Sequence, residues 1–309
     1  HTNSVYDTSN WTEEIINKYN FKNKKVVFYT YWLTYTAVGI SVAKNKNKNI
    51  IQISRAHSGD VYEQQDRIFF SRKFLLKSIN KIFTISASAS THLRKKFPTE
   101  SHKITISRIG SLKNKFNGGS SDNVFRISSC SSMIPLKRID LLLRGLYLLA
   151  KKNPNKLFEW HHFGDGPELD RIKIICDEMT MPNFKKKLHG KILHDEVVEY
   201  MGNKPIDLFV NVSSREGIPV SIMEAIAAGI PVIATDVGGC KEIVSNKNGV
   251  LLSSDPSPEK ISDTIADFLM KPDKLNKYQI GSRETWEKDF NIDLNYDKFV
   301  KNVNDLLKN

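Results

Sequence analysis

The sequence predicts two α/β domains of the doubly wound kind, and three observations lead there. Its 309 residues are long for one domain and sufficient for two with separate cores. Short apolar runs alternate with helical patterns along most of the chain, the pattern of a parallel sheet wrapped by helices. Between residues 114 and 122 the alternation stops at Gly118-Gly119-Ser120-Ser121, the best candidate for a flexible linker.

The first domain, 1–117, offers strands at 25–30, 49–54, 81–86 and 103–107, with helices near 11–19, 32–44, 67–79 and 88–97. Ser86 is placed to cap the last of these helices. The second domain, 118–284, alternates more fully. Strands are expected at 123–129, 157–163, 185–189, 206–211, 231–234 and 249–252, and helices near 137–152, 167–179, 194–202, 219–228, 239–245 and 257–270. The tail from 272 to 309 reads as helix without a strand. Ligands of such sheets bind outside the carboxyl ends of the strands, near helix N-termini, and a cleft between two such domains is a natural small-molecule site.

Apolar residues make up 40% and charged residues 26%, an ordinary globular balance. No apolar run approaches the roughly 20 residues of a membrane-spanning helix. No basic-then-apolar leader precedes a small-residue cleavage site, and the first residue is His1 rather than Met. Cys130, Cys176 and Cys240 are far apart, fit no metal-binding spacing, and read as small buried thiols in a reducing compartment. Charge is lopsided. Residues 1–120 carry 20 Lys and Arg against 7 Asp and Glu, whereas residues 121–309 carry 26 against 27. The first part therefore either meets something anionic or simply has solvated basic faces. Arg72, Lys73 and Lys77 on one helix, with Arg94, Lys95 and Lys96 on another, are the residues expected at anionic headgroups. A nucleic-acid partner is not expected, because aromatics are not interleaved with the basic residues.

The segment with the most chemistry runs from Val212 to Val237, VSSREGIPVSIMEAIAAGIPVIATDV. A strand ends at a Ser-rich turn, and Glu216-Gly217-Ile218-Pro219 leads into a helix carrying Glu224. Gly229 ends that helix and Pro231 prevents its continuation. A helix N-terminus presents unpaired N–H groups and partial positive charge, which suits a diphosphate. Glu216, just before it, accepts hydrogen bonds only and can grip sugar hydroxyls. Glu224, about two turns on, is suited to a ribose diol rather than to phosphate. A bare pair of glutamates reads better as a solvent-facing helix residue and a helix-dipole partner; the surrounding string is what favours a site.

That string, Glu-x7-Glu with Gly-x-Pro inside and Ala-x-Ala-Ala-Gly-x-Pro-Val after, resembles the signature of retaining GT-B glycosyltransferases, family 4, of the bacterial surface-polysaccharide type. The resemblance is clear over about 123–290 and weak over 25–110. It implies a GT-B fold of two Rossmann-like domains facing a cleft, with 285–309, opening on Trp286-Glu287-Lys288-Asp289-Phe290, crossing back to the first domain. It also implies donor contacts from Gly217, Ile218, Pro219, Val220 and Glu224. Ser131 to Asp140, SSMIPLKRID, is similar to the segment that holds the donor diphosphate, and Lys137 matches the family lysine. Ser132 stands where the family often has Arg, so Arg138 is the candidate second phosphate contact. Gly164, Asp165 and Gly166 match the G-D-G-P turn at the edge of the nucleotide pocket. Leu188-His189-Gly190-Lys191-Ile192 matches a strand end whose main chain, at Ile192, contacts the base. His57, at a strand end in Arg55-Ala56-His57-Ser58-Gly59-Asp60, matches a His close to the donor sugar, and Arg55 and Asp60 are candidates to orient it.

The resemblance further implies transfer from a nucleotide-diphosphate-sugar to a glycan or lipid-linked acceptor, in the cytoplasm or at the inner face of the membrane. Lys137, His57 and Glu216 are the expected catalytic residues. No Asp-x-Asp occurs, so neither a metal nor another cofactor is expected. Relatives begin with a strand, a Gly-rich loop and further β-α units. No Gly-rich loop precedes residue 59 here, so either a first stretch is absent from this sequence or the acceptor domain is reduced. Rival readings are a GT-B epimerase and a non-catalytic nucleotide-sugar-binding module.

Overall fold

A computed structural model describes residues 2–21, 23–62 and 69–308. The chain separates into two units. One runs to Ile109 and takes in the C-terminal helix from Leu294; the other is Gly110–Asp293.

The first unit contains α1 (Thr2–Lys18), β1 (Val26–Thr30), α2 (Tyr35–Lys46), β2 (Ile50–Ala56), α3 (Ser58–Val61), α4 (Phe69–Ser78), β3 (Lys81–Thr84), α5 (Ala87–Lys96) and β4 (Ile104–Ile106). The strands form one parallel sheet in the order β1-β2-β3-β4. All four expected strands are present. Residues 67 and 68 of the expected 67–79 helix lie outside the described residues. β2 is buried along its whole length, its polar Gln52, Ser54 and Arg55 included, as a central parallel strand covered on both faces requires. Ser86 caps α5 as expected, its Oγ accepting from Ala89 N–H at 3.1 Å.

The second unit contains β5 (Val124–Cys130), α6 (Ile139–Lys152), β6 (Leu157–Phe163), α7 (Leu169–Glu178), β7 (Phe184–Leu188), α8 (His194–Asn203), β8 (Leu208–Asn211), α9 (Val220–Ala227), β9 (Val232–Thr235), α10 (Cys240–Ile243), β10 (Gly249–Leu252), α11 (Pro258–Leu269) and α12 (Pro272–Thr285). Its six parallel strands are ordered β10-β9-β8-β5-β6-β7. The chain goes outward from β5 to β7, then returns to the other side of β5 and goes outward to β10. The direction of winding therefore reverses between β5 and β8, and a crevice opens there at the strands' carboxyl ends. Leu142, Leu143, Leu146, Leu149 and Ala150 of α6 sit at helical spacing and pack into a core with Phe125, Phe158 and Trp160.

The Gly118–Ser121 stretch is not the linker its composition predicts. It lies inside the second unit, where Asp207 accepts from Ser120 N–H and Ser120 Oγ, each at 2.7 Å. Asn117 donates to the Met201 and Lys204 carbonyls. A turn of π-helix at Trp286–Phe290 leads into α13 (Ile292–Lys308), which takes part in the first unit. There Phe299 packs on Ile51, Ile53 and Phe83, and Asn295 donates to the Ile109 carbonyl.

Candidate functional site

The crevice between β5 and β8 is built by two loops. After β5 the chain runs to a short 3₁₀ turn, Pro135–Lys137, and Arg138 then enters the left-handed region at φ 51° as α6 starts. After β8 it runs through Val212–Pro219 to α9. Ser214 N–H donates to the Leu136 carbonyl at 2.9 Å and so joins the loops. The expected Arg138 phosphate contact does not follow from this geometry. Its guanidinium donates to the carbonyls of Val212, Ser213 and Ser254 and to Asp255, spending four of its five N–H groups on latching three loops together.

Lys137 and Glu216, 79 residues apart, meet here. Lys137 Nζ lies 2.6 Å from Glu216 Oε1, and the two side chains are only 18% and 9% exposed. Asn211, the last residue of β8, donates to the same oxygen at 3.1 Å. Nothing in the sequence pairs the two charges. Beside them, Pro219 at the N-cap of α9 makes no side-chain cap, which leaves first-turn N–H groups to an anion. Gly238 packs against the Glu216 turn: a Cβ there would stand 1.9 Å from the Glu216 carbonyl oxygen. Only glycine permits that approach, and Gly239 N–H closes it by donating to Gly217 O at 2.6 Å.

Glu224, on the second turn of α9, is 5% exposed and so is no solvent-facing helix residue. Its Oε1 lies 2.6 Å from Nε2 of His194, the first residue of α8. Burial raises the Glu224 carboxyl, opposed by His194, and the bond to Glu224 raises the imidazole above its ordinary value. His194 was not recognised from sequence; it lies 30 residues from its partner in an ordinary helix start. Its position ties Glu224 to the turn carrying Ile192. The same thiol, Cys130, feels the charges of both Glu224 and Lys137, and Cys240 feels both Glu216 and Lys137. Burial pushes each of these thiols up to about 12, so neither is a nucleophile near neutrality.

The Gly164-Asp165-Gly166 turn borders the same loops. Gly164 and Gly166 take φ of 127° and 155°, and a Cβ on either would strike the backbone of Ser131 or Met133. Met133 N–H donates to Asp165 O at 2.7 Å, and Gly164 N–H to Gly190 O at 2.9 Å. The phosphate-side loop, the Gly-Asp-Gly turn and the Gly190–Ile192 turn are thus one hydrogen-bonded rim.

In the first unit His57 stands at the carboxyl end of β2 and starts α3. The two oxygens of Asp60 accept from the N–H groups of His57 and Leu33, each at 2.6 Å, joining the ends of β1 and β2. Burial pushes the Asp60 carboxyl up to about 6 despite those bonds and the Arg72 charge. Burial, then the Arg55 charge, holds His57 down at about 4, so its imidazole is neutral at pH 7. Arg72 is 7% exposed with its charge directed at Asp60, and Arg94 donates to Ser90 and to the Ile104 carbonyl. Arg72 therefore does not form the headgroup surface expected of it, whereas Arg94 is exposed with Lys95 beside it. Lys73 and Lys77 on α4 are exposed beside Phe74. Among the described residues no helix is long and apolar enough to cross a membrane.

Comparison with known proteins covers the unit that holds this crevice. A family model described as glycosyl transferases group 1 matches residues 111–285. The UDP-N-acetylglucosamine–peptide N-acetylglucosaminyltransferase GtfA subunit of Streptococcus parasanguinis is 26% identical over 219 residues, 67% of this chain and 40% of that protein. The poly(ribitol-phosphate) alpha-N-acetylglucosaminyltransferase of Staphylococcus aureus is 28% identical over 194 residues, 60% of this chain and 36% of that protein. The chain thus spans 40% or less of the length of these curated relatives. Among solved structures, Anabaena Alr3699/HepE in complex with UDP superposes with a TM-score of 0.72 over 90% of this chain and 79% of that one, at 16% identity. That likeness is one of fold: two parallel-sheet, Rossmann-like units of the GT-B class.

Proposed function

Since this chain belongs to the glycosyl transferases group 1 family, we propose that it is a retaining glycosyltransferase. It would move a sugar from a nucleotide-diphosphate-sugar to a glycan or lipid-linked acceptor in cell-surface polysaccharide biosynthesis. The observation that carries this reading is the Lys137–Glu216 pair at the winding reversal, beside the uncapped start of α9. A cation, free N–H groups and an acceptor-only carboxylate within one crevice complement a diphosphate joined to a polyhydroxylated ring. The relatives' names and the UDP-bound neighbour support a uridine nucleotide as the first donor to try.

In this reading the donor exchanges partners with the resting pair. The diphosphate takes Lys137 from Glu216, and Glu216 turns to the sugar hydroxyls. Main-chain groups near Ile192 meet the base, and Glu224 holds the ribose diol. The acceptor hydroxyl oxygen attacks the anomeric carbon on the face from which the diphosphate leaves. As the C–O bond to phosphate breaks, the hydroxyl proton passes to the leaving phosphate oxygen. The products are the glycosylated acceptor, with its anomeric configuration kept, and the nucleoside diphosphate. Lys137 and the α9 N–H groups stabilise the charge gathering on the leaving group without a metal. His57, a neutral imidazole, stabilises developing positive charge through its lone pair or orients the acceptor. The reading places the chain in the cytoplasm, with Lys73 and Lys77 toward an anionic membrane face.

The test is product stereochemistry. The chain is incubated with UDP-glucose or UDP-N-acetylglucosamine and an acceptor-glycan extract, and the new anomeric proton is followed by NMR. An α linkage from the α-linked donor, unaffected by EDTA, is expected. A β linkage overturns retention, loss of turnover in EDTA overturns metal independence, and isomerised donor without transfer identifies an epimerase.

A further inference from the structure

The carboxyl edge of the first unit's sheet carries an aromatic surface that the donor chemistry does not use. Along β1 side chains alternate, with Phe28 and Thr30 buried and Tyr29 exposed. Just past the strand, Tyr31 and Trp32 remain 50% and 48% exposed, although Leu33, the next residue, is completely buried. Their rings stand at 80° to each other with centroids 5.8 Å apart. Both also pack on the imidazole of His57, at 4.6 Å for Tyr31 and 4.2 Å for Trp32. The Tyr31 backbone carbonyl accepts from that imidazole, and His57 Nε2 is buried without a hydrogen-bond partner.

The shelf is rigidly held. Asp60 clamps Leu33 N–H and His57 N–H with one carboxylate, so the turn bearing Trp32 and the residue beneath it move as a unit. A polar edge adjoins it. Arg55 hydrogen-bonds Tyr29, its guanidinium lies 4.7 Å from the Phe299 ring, and its Nε is buried without a partner. Two large rings left half exposed side by side, with the exposed Tyr29 beside them, are a recognition surface rather than spare core.

We propose that Tyr31 and Trp32 form the shelf on which a pyranose ring of the acceptor stacks, a proposal that rests on the glycosyltransferase reading. A pyranose presents one face of C–H groups, slightly positive, and a perimeter of hydroxyls. The C–H face complements the negative π faces of Tyr31 and Trp32, and the hydroxyls find the exposed Tyr29 and Tyr31 hydroxyls at the rim. The substrate class is a glycan ending in a pyranoside, and the corner between the perpendicular rings selects for ring shape rather than charge.

The test is saturation-transfer NMR on the full chain with methyl α-D-glucopyranoside, methyl N-acetyl-α-D-glucosaminide and methyl α-D-galactopyranoside. UDP binding is measured on every sample as an independent reading of the donor unit and of folding. The wild type is expected to saturate ring C–H protons of at least one pyranoside. Trp32→Ala or Tyr31→Ala should weaken that binding about tenfold and Trp32→Phe less than about threefold, with UDP binding unchanged. Saturation of no pyranoside by the wild type, or equal saturation by wild type and both alanine variants, overturns the shelf. Quenching of Trp32 by anionic vesicles but not by sugars overturns it in favour of a lipid surface. Sugar binding without UDP binding would refute the donor reading while leaving the shelf standing.

Discussion

Replacing Lys137 by methionine keeps the length of the side chain and removes the Nζ that lies 2.6 Å from Glu216. Glu216, 9% exposed, would then keep only the Asn211 amide in place of its ion pair. Exposed pairs are worth ~0–1 kcal/mol, and breaking a fully buried one costs ~3–5. With side chains 18% and 9% exposed, an intermediate loss of about 2 kcal/mol is expected. In the Gly110–Asp293 unit that lowers Tm by roughly 4–8 °C. The same change removes a charge-assisted contact to the diphosphate, worth ~1.5–3 kcal/mol, and should weaken UDP binding by about 10- to 150-fold. Adding Glu216→Gln to Lys137→Met separates the two effects. The stranded carboxylate disappears, so Tm should return most of the way while UDP binding stays weak. Thermal melts and UDP titration of the four proteins in this cycle provide the assay. A single variant that binds UDP within about threefold of wild type would refute the assignment of Lys137 to the diphosphate.

Other outcomes follow from the same geometry. Glu224→Ala should weaken UDP about tenfold yet leave 2′,3′-dideoxy-UDP unchanged; titration of both nucleotides checks whether the carboxylate holds the diol. His194 and Glu224 are both raised, so each contributes stability that is present below its ordinary pKa and lost as pH climbs through its raised one. His194→Ala should flatten the fall in urea midpoint above pH 6.5, the effect being small because the imidazole is 66% exposed. Asp60 obeys the same sign. Its contribution is present below 3.8 and lost as pH rises through about 6. Asp60→Asn should remove that slope while losing one of two clamping acceptors, seen as a lower Tm at pH 4 than wild type. Co-sedimentation with anionic vesicles should fall in Lys73→Glu/Lys77→Glu by about 1 kcal/mol per charge removed; binding indifferent to both lipid charge and these residues would exclude a membrane face.

The sheets were legible because their signal is local. Buried parallel strands such as Val232–Thr235 read as apolar runs, and Pro231 after Gly229 marks the end of α9 wherever the helix packs. Glu216, Glu224 and Lys137 were legible as a pattern, but their partners were not. Lys137 finds Glu216 across 79 residues and Glu224 finds His194 across 30, distances over which composition and periodicity carry no information. The linker was misread for the same reason. Gly and Ser signal freedom locally, yet Asp207 in a distant strand start captures Ser120 and Arg126. Charge clusters misled similarly. Arg72, Lys73 and Lys77 look equivalent in sequence, but one helical face turns Arg72 inward to Asp60 and leaves the lysines outside. Tyr31 and Trp32 gave no motif, and only their exposure beside His57 singles them out.

Binding of a nucleoside diphosphate in the crevice between β5 and β8 is decided by a thermal-shift panel of UDP, GDP, ADP and CDP on wild type and Glu224→Ala. Ligand at about 100 times its Kd adds roughly 2.7 kcal/mol, enough to raise Tm by several degrees. One nucleotide, UDP first among them, is expected to shift the wild type and to shift Glu224→Ala less. No shift with any nucleoside diphosphate, or an equal shift in both proteins, would contradict it.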